Sequence, residues 1–372
     1  MNTLEKLKIL GAGAKYDTSC GGDERKKNPE QPLYGIYNAI AYGKCFPMLK
    51  VLQTNNCVHD CKYCVNSCKG RERATFEPRE LAGVFGNFLQ KRYVEGMFLS
   101  SAVGGDPDIA TERMIETAEI VRGKLGFGGY IHLKALPGTS RDYIERLCEL
   151  ANRVSINVEA PSAGRMNELS STKAFRTDIL RRMGWLGEMK RRGRLTNFTT
   201  QFVVGANGES DLEYLRMSKR MYENFDLWRA YFSSFSPVKG TGLEARNAEN
   251  PMREHALYQA DWLLRVYGFG FGEIESIAGK DERLPVGKDL KMAYAEARKD
   301  LYPVDVNEAK FSELVRVPGI GTISANRILR ARAEGKKISS LSELKGMGVA
   351  IKRANCFVTV DGSARQSRLG EY

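Results

Sequence analysis

Short apolar runs recur along the first two thirds of this chain, each followed by a longer amphipathic stretch, and nothing else in the sequence restricts the fold so tightly. The runs are Met48–Gln53, Met97–Ser101, Tyr130–Leu133, Val154–Val158, Thr199–Val204 and Leu227–Phe232. Patterns of helical period separate them, at Arg79–Tyr93, Thr111–Leu125, Asp142–Ala151, Ile179–Arg192 and Asp211–Asn224. Alternation at this spacing predicts βαβ units and a parallel sheet. Continuously apolar runs suit strands covered on both faces. The expected fold class is therefore α/β, a (β/α)6 partial barrel with its site at the C-terminal strand ends.

The flanks differ in character. Residues 1–47 carry glycines, a polar stretch from Gly21 and several aromatics, and predict an irregular, partly helical N-terminal cap. Residues 48–300 are read as the barrel with a helical extension, including helices at Glu249–Tyr267 and Asp289–Asp300. Residues 301–372 are read as a small all-α module ending in a polar tail from Ser363. No apolar run approaches the roughly 20 residues of a membrane span, so no membrane partner is expected. Met1–Lys8 lacks an apolar signal core, which predicts a cytoplasmic protein. The net charge of +12 makes a polyanionic partner one candidate.

Eight cysteines are present, four of them between Cys57 and Cys68. In reducing cytosol such a cluster points to metal rather than disulfides. Cys57, Cys61 and Cys64 follow a C-x3-C-x2-C spacing on the loop after the first run. Three thiolates on one loop can hold three irons of a cubane and leave the fourth without a protein ligand. A zinc site completed by Cys68 or His59 is the alternative, as is a set of buried thiols. Cys148 falls on an apolar helical face. Cys20, Cys45 and Cys68 allow a second metal site or a hydrogen-atom donor, though free thiols are usually small buried hydrophobes.

Other residues fall at predicted strand ends. His132 and Lys134 share one strand face and are candidate catalytic groups, as proton donor or anion clamp. Asn157 and Glu159 also share a face, which would point them into the barrel mouth. Ser100–Pro107, containing Gly104, Gly105 and Asp106, has turn chemistry. Gly205 after the fifth run, with Gln201 before it, would allow close approach of a planar group.

Taken in order, these segments resemble the radical S-adenosylmethionine (SAM) superfamily. The resemblance implies a 4Fe–4S cluster on Cys57, Cys61 and Cys64, whose open iron chelates S-adenosyl-L-methionine. It implies that Tyr63 lies near the adenine and that Gly104, Gly105 and Asp106 receive the amino group. The family carries Glu where this chain has Asp106. Asn157 and Glu159 would bond the ribose hydroxyls, and the segment of Gln201 and Gly205 would pack on adenine. The implied activity is reductive cleavage yielding a 5′-deoxyadenosyl radical, with flavodoxin or ferredoxin as electron donor.

The C-terminal module adds a second motif. Phe311–Ile328 reads helix, tight turn, helix, because Pro318-Gly319-Ile320-Gly321 cannot continue a helix. The glycines free backbone N–H groups at a helix start, where the dipole also favours an anion. A weaker copy runs from Leu341 to Arg353, through Gly346 and Gly348. Both resemble the helix-hairpin-helix motif, and imply nucleic-acid contacts by Pro318, Gly319, Gly321, Arg327, Gly346, Gly348, Lys352 and Arg353. A structural or protein-docking hairpin is the alternative. The whole chain is similar to a radical SAM family described as DNA modification or repair proteins, discussed beside uracil-DNA-glycosylase-like partners. The expected function is radical chemistry on nucleic acid, DNA before RNA. A tRNA-modifying enzyme and a non-catalytic iron–sulfur redox sensor on DNA are the alternatives.

Overall fold

A computed structural model describes residues 1–17, 34–41, 44–67 and 70–360. Cys20, Cys68 and the expected polar tail lie outside the described residues. The chain divides into two compact units, one of residues 1–209 and 217–249, the other of residues 210–216 and 250–372. Residues 250–300, expected as an extension of the barrel, therefore group with the C-terminal module.

The first unit opens with helix α1 (Thr3–Ala14), started by Asn2, whose side chain accepts from the Glu5 N–H at 2.9 Å. Strands β1 (Ile36–Ala41) and β2 (Lys44–Leu52) follow as an antiparallel pair. The expected irregular cap thus holds a helix and a strand. Beyond β2 the alternation runs as predicted: α2 (Pro78–Gln90), β3 (Gly96–Ser100), α3 (Pro107–Glu119), β4 (Tyr130–Lys134) and α4 (Arg141–Leu150). Next come β5 (Arg153–Ser155), α5 (Ala163–Leu169), α6 (Arg181–Arg191), β6 (Asn197–Val204), α7 (Asp211–Phe225), of which residues 217–225 belong to this unit, and β7 (Arg229–Ser234).

Strands β1 to β7 lie in sequence order, with every pair after the first parallel. The sheet curls into a half-barrel with a seventh, antiparallel strand at its edge. Burial explains the strand assignments. All five residues of β3 are buried, as expected for a strand with layers on both sides. Helix α2 begins at Pro78, whose missing N–H costs nothing in a first turn, and buries Leu81, Phe85 and Phe88 along one face. Cys148 is buried on α4, as expected, and burial pushes its thiol up to about 12.

The second unit holds α8 (Pro251–Arg265), α9 (Phe271–Glu275), α10 (Leu290–Ala297), β8 (Val304–Asp305), α11 (Phe311–Leu314) and α12 (Thr322–Ala333). Helices α13 (Leu341–Gly346) and α14 (Ile351–Ala354) precede β9 (Val358–Thr359), which pairs with β8. Leu314, Val317, Ile320, Ala325, Ile328, Leu344, Val349 and Ala354 share one core. Both hairpins therefore rest on the same apolar centre. No helix among the described residues is long and apolar enough to cross a membrane.

Candidate active site

The loop after β2 is fixed at both ends. Val58 N–H donates to the Val103 carbonyl at 2.8 Å, tying the loop to the extension of β3. The Ser67 hydroxyl lies 2.7 Å from the carbonyls of both Cys61 and Cys64. Arg73 donates to the carbonyls of Asn55 and Asn66 at 2.5 and 2.8 Å.

Asp60 provides a further anchor. Its carboxylate accepts from the Ser170, Ser171 and Thr172 hydroxyls at 2.6, 2.5 and 2.9 Å, and from the Ser171 amide at 3.1 Å. Burial opposes its charge, yet these donors hold it well below the usual carboxylate range.

Cys57, Cys61 and Cys64 open together into one cavity at the C-terminal strand ends. Its wall also carries Tyr63, Lys134, Asn157, Glu159 and Gln201, so five sequence candidates besides the cysteines lie against one space. Burial pushes the Cys64 thiol up to about 12, with Cys61 adding to the effect and Lys173 opposing it. Metal binding there would release a proton.

Four cavity residues are held by one another. Tyr63 donates its phenol proton to Glu159, and burial together with that carboxylate pushes its ionisation far up. Glu159 has a left-handed backbone (φ 61°) and bridges to Phe202 of β6. Such strain in a non-glycine residue is sustained only where the surroundings over-determine it. Its N–H donates to the Gln201 carbonyl at 2.9 Å and its carbonyl accepts from Val203 N–H at 2.8 Å. Gln201 Nε2 donates to the Tyr16 carbonyl at 3.0 Å, and Lys134 pairs with Asp17. Strand β5 ends at Ser155, so Asn157 and Glu159 reach the cavity from an irregular segment rather than from strand alternation.

Lys173 escaped the sequence reading. It lies on the cavity wall, hydrogen-bonded to Cys61. Burial alone would lower its pKa, but Cys61, Glu159 and Cys64 together raise it. A lone lysine in a Ser-Ser-Thr-Lys loop carries no sequence signal for this. Asp17 and Tyr16 were equally unsignalled.

Several predicted residues stand elsewhere. His132 is fully buried in the strand layer, 2.9 Å from Ser155 Oγ and edge-on to Phe98 at 4.6 Å. Burial and the cations Arg153, Lys134 and Lys50 push its pKa well down, so it is a neutral core residue rather than a proton donor at the cavity. Gly104, Gly105 and Asp106 are exposed and lie off the cavity wall. Asp106 caps α3, accepting from Asp108 N–H at 2.7 Å. Gly205 has φ 85° and is absent from the cavity wall, and the Glu249 carboxylate occupies the side on which a Cβ would stand. Cys45 is exposed on β2, and its expected companions Cys20 and Cys68 lie outside the described residues.

The donor set fits an iron–sulfur group. Three soft thiol donors face one cavity. His59 Nε2 and Asn66 Oδ1, both buried without a hydrogen-bond partner, sit on the same wall. Buried polar atoms of this kind call for a bound group. Among the described residues, no three His, Cys, Asp or Glu side chains converge closely enough to hold a single metal ion.

In the second unit, Gly319 has φ 85°, and a Cβ there would stand 2.5 Å from the Ala350 carbonyl. Ala350 N–H in turn donates to the Gly319 carbonyl at 2.9 Å. Gly348, with φ 89°, faces Arg327 and Ser324 of the first hairpin. Each turn thus packs on the other hairpin. Pro318 is buried, while Gly346 and Lys352 are exposed. Arg327 is exposed and donates to the Met347 carbonyl at 3.3 Å. Arg353 is exposed but paired with Asp289 at 2.6 Å.

Comparison with known proteins agrees with both motifs. The radical SAM superfamily model matches residues 51–221, and the helix-hairpin-helix motif model matches residues 301–348. No curated protein matches the sequence. Among solved structures, methylornithine synthase (PylB) is 15% identical at TM-score 0.47, over 57% of this chain and 60% of that one. HydG, a maturase of the FeFe-hydrogenase, is 10% identical at TM-score 0.47, over 66% and 61%. A radical SAM methyltransferase from Sphaerobacter thermophilus is 13% identical at TM-score 0.46, over 60% and 64%. The chain spans roughly three fifths of the length of each of these.

Proposed function

From a chain that carries a radical SAM domain followed by a helix-hairpin-helix motif, we propose an enzyme of radical SAM chemistry acting on nucleic acid, in DNA modification or repair. The observation that carries the reading is the shared cavity of Cys57, Cys61 and Cys64 with Asn157, Glu159 and Gln201. When bound, a 4Fe–4S cluster and S-adenosyl-L-methionine supply a 5′-deoxyadenosyl radical at that place.

The chain's own residues do the rest. The three cysteines hold the cluster. Asn157 and Glu159 offer hydrogen bonds to the ribose hydroxyls, with Glu159 fixed by Tyr63. Lys173 presents a cation beside the thiols and Lys134 a second one, already engaged by Asp17. Apolar wall residues such as Val65, Leu136 and Phe235 exclude water from the same space. A base inside a duplex cannot reach such a cavity, so the substrate nucleotide is extruded or already unpaired. The paired hairpins grip the phosphate backbone without reading sequence. A flavodoxin- or ferredoxin-type electron donor and a uracil-DNA-glycosylase-like partner belong to the same proposal.

The test is anaerobic reconstitution with iron, sulfide, reductant and S-adenosyl-L-methionine, in the presence of duplex DNA, single-stranded DNA or tRNA. Formation of 5′-deoxyadenosine with a mass change in a deoxynucleoside is the expected result. Turnover on tRNA alone would move the substrate to RNA. Iron–sulfur loading with no 5′-deoxyadenosine on any nucleic acid would leave a redox sensor, and purified zinc protein would overturn the cluster itself.

A further inference from the structure

The second unit buries a cation that the proposed chemistry does not use. Lys291 on α10 is only 8% exposed, and its Nζ donates to the Ile320 carbonyl at 2.5 Å. The same ammonium stands 4.8 Å from the centroid of the Tyr267 ring. Ile320 lies between the two glycines of the first hairpin turn, and the Tyr267 hydroxyl is 3.4 Å from where a Gly321 Cβ would stand. Two residues before Lys291, Asp289 caps α10 through Met292 N–H at 3.0 Å and pairs with Arg353. Arg353 in turn lies against Gly319. Lysine, ring and ion pair together underlie the turn.

Burying an ammonium is costly unless it is well bonded, so its placement under one carbonyl calls for a reason. The Ile320 carbonyl and the Gly321 N–H belong to one rigid peptide plane and point in opposite directions. Fixing the oxygen from below therefore fixes the N–H above. A charged donor on the oxygen also polarises the peptide and strengthens that N–H toward an anion. Resting on the nucleic-acid reading, we propose that Lys291 is a positioning residue for phosphate recognition, holding the turn so that the amides opening α12 face the backbone of a bound duplex.

The surroundings give the device a pH signature. Burial pulls Lys291 down to about 7, Arg353 pushes the same way, and Asp289 opposes both. Tyr267, the remaining titratable group facing it, is raised by burial and stays neutral. The ammonium is thus lost as pH rises through neutrality, leaving a weaker, uncharged donor, and affinity for duplex should fall. Stability should move the other way. The folded value lies below the ordinary 10.5, so the unfolded chain binds more protons between the two, and folding gains with pH across that window. Loss of binding on raising pH would then not be unfolding.

The experiment follows fluorescence anisotropy of a short labelled DNA duplex at fixed salt, from about pH 6 to about pH 9, with a melting curve at each pH. Wild type, Lys291→Met and Lys291→Arg are compared as full-length chains. Wild-type affinity is expected to fall roughly tenfold across the range while its melting temperature rises. Lys291→Met should bind weakly with no slope from this group, and Lys291→Arg should bind tightly without the fall. Wild-type affinity and slope in Lys291→Met would overturn the positioning role alone. If Lys291→Met does not fold, Lys291→Arg decides, because a retained wild-type slope there overturns the role equally. Absence of duplex binding by wild type at every pH would instead sink the DNA reading on which the proposal rests.

Discussion

The four glycines of the two hairpins look equivalent in sequence, and the structure predicts that they are not. Gly319→Ala forces a side chain into a left-handed backbone, at a cost of about 1–2 kcal/mol. Its Cβ would also stand 2.5 Å from the Ala350 carbonyl, a backbone atom that cannot rotate away. Relieving that contact strains the 2.9 Å bond from Ala350 N–H to the Gly319 carbonyl, worth about 1 kcal/mol. The sum is roughly 2–3 kcal/mol, concentrated where the hairpins meet. Gly321→Ala, at φ −93° and with Tyr267 OH at an ordinary 3.4 Å, should change stability by only about 0.5 kcal/mol. Native-state hydrogen exchange of the α12 and α14 amides reads the difference directly. Gly319→Ala should speed their exchange by roughly a hundredfold and Gly321→Ala by less than about threefold. Equal acceleration by the two variants would refute the idea that the first glycine is kept for packing between hairpins.

Three further outcomes are expected. Gly348→Ala, at φ 89° and 3.1 Å from the movable tip of Arg327, should cost about 1–2 kcal/mol, whereas Gly346→Ala meets open space and should be neutral or slightly stabilising; urea unfolding of the two variants separates them. Asp60→Ala removes the anchor between the cysteine loop and residues 170–172, so iron bound after anaerobic reconstitution should drop while circular dichroism stays unchanged. Full iron loading would show that the loop needs no such anchor. Glu273, lowered to about 2 against burial by Arg316, the Gly270 N–H and the Tyr294 hydroxyl, should contribute stability that is complete above its ordinary 4.5 and lost as pH falls from there toward 2; Glu273→Gln should be less stable at neutral pH and lose that acid slope, and an unaltered acid melting profile would exclude the carboxylate as its source.

Local pattern made most of this architecture readable in advance. The strands from β2 to β7 carry continuous apolar runs because helices cover them, and the helices between them repeat at their own period. The cysteine spacing was equally legible, since three cysteines on one loop are a local feature that survives without knowledge of the fold. What escaped was non-local. Strand β1 is a short edge strand, Ile36–Ala41, with Tyr37 and Asn38 among its residues, and pairing with β2 decides its state more than its own pattern does. Lys173 and Asp17 reach the cavity from loops whose sequences resemble any solvated turn.

His132 and Lys134 show why a shared strand face was insufficient to assign chemistry. The two positions do repeat on one side of β4, as alternation requires. Depth along the barrel then separates them. Lys134 sits at the strand end, where the cavity begins and Asp17 meets it. His132 lies one step deeper, against Phe98 and among cations that keep it neutral. Glu159 makes the complementary case. Alternation from β5 would have pointed it inward, but β5 stops four residues earlier, and the side chain reaches the cavity only because the backbone turns left-handed there and locks onto β6. Its place on the cavity wall was expected from a rule that does not operate at its position. A strained backbone held by Gln201 and Val203 on both sides is the physical reason it faces the thiols, and that arrangement could not be read from the order of amino acids alone.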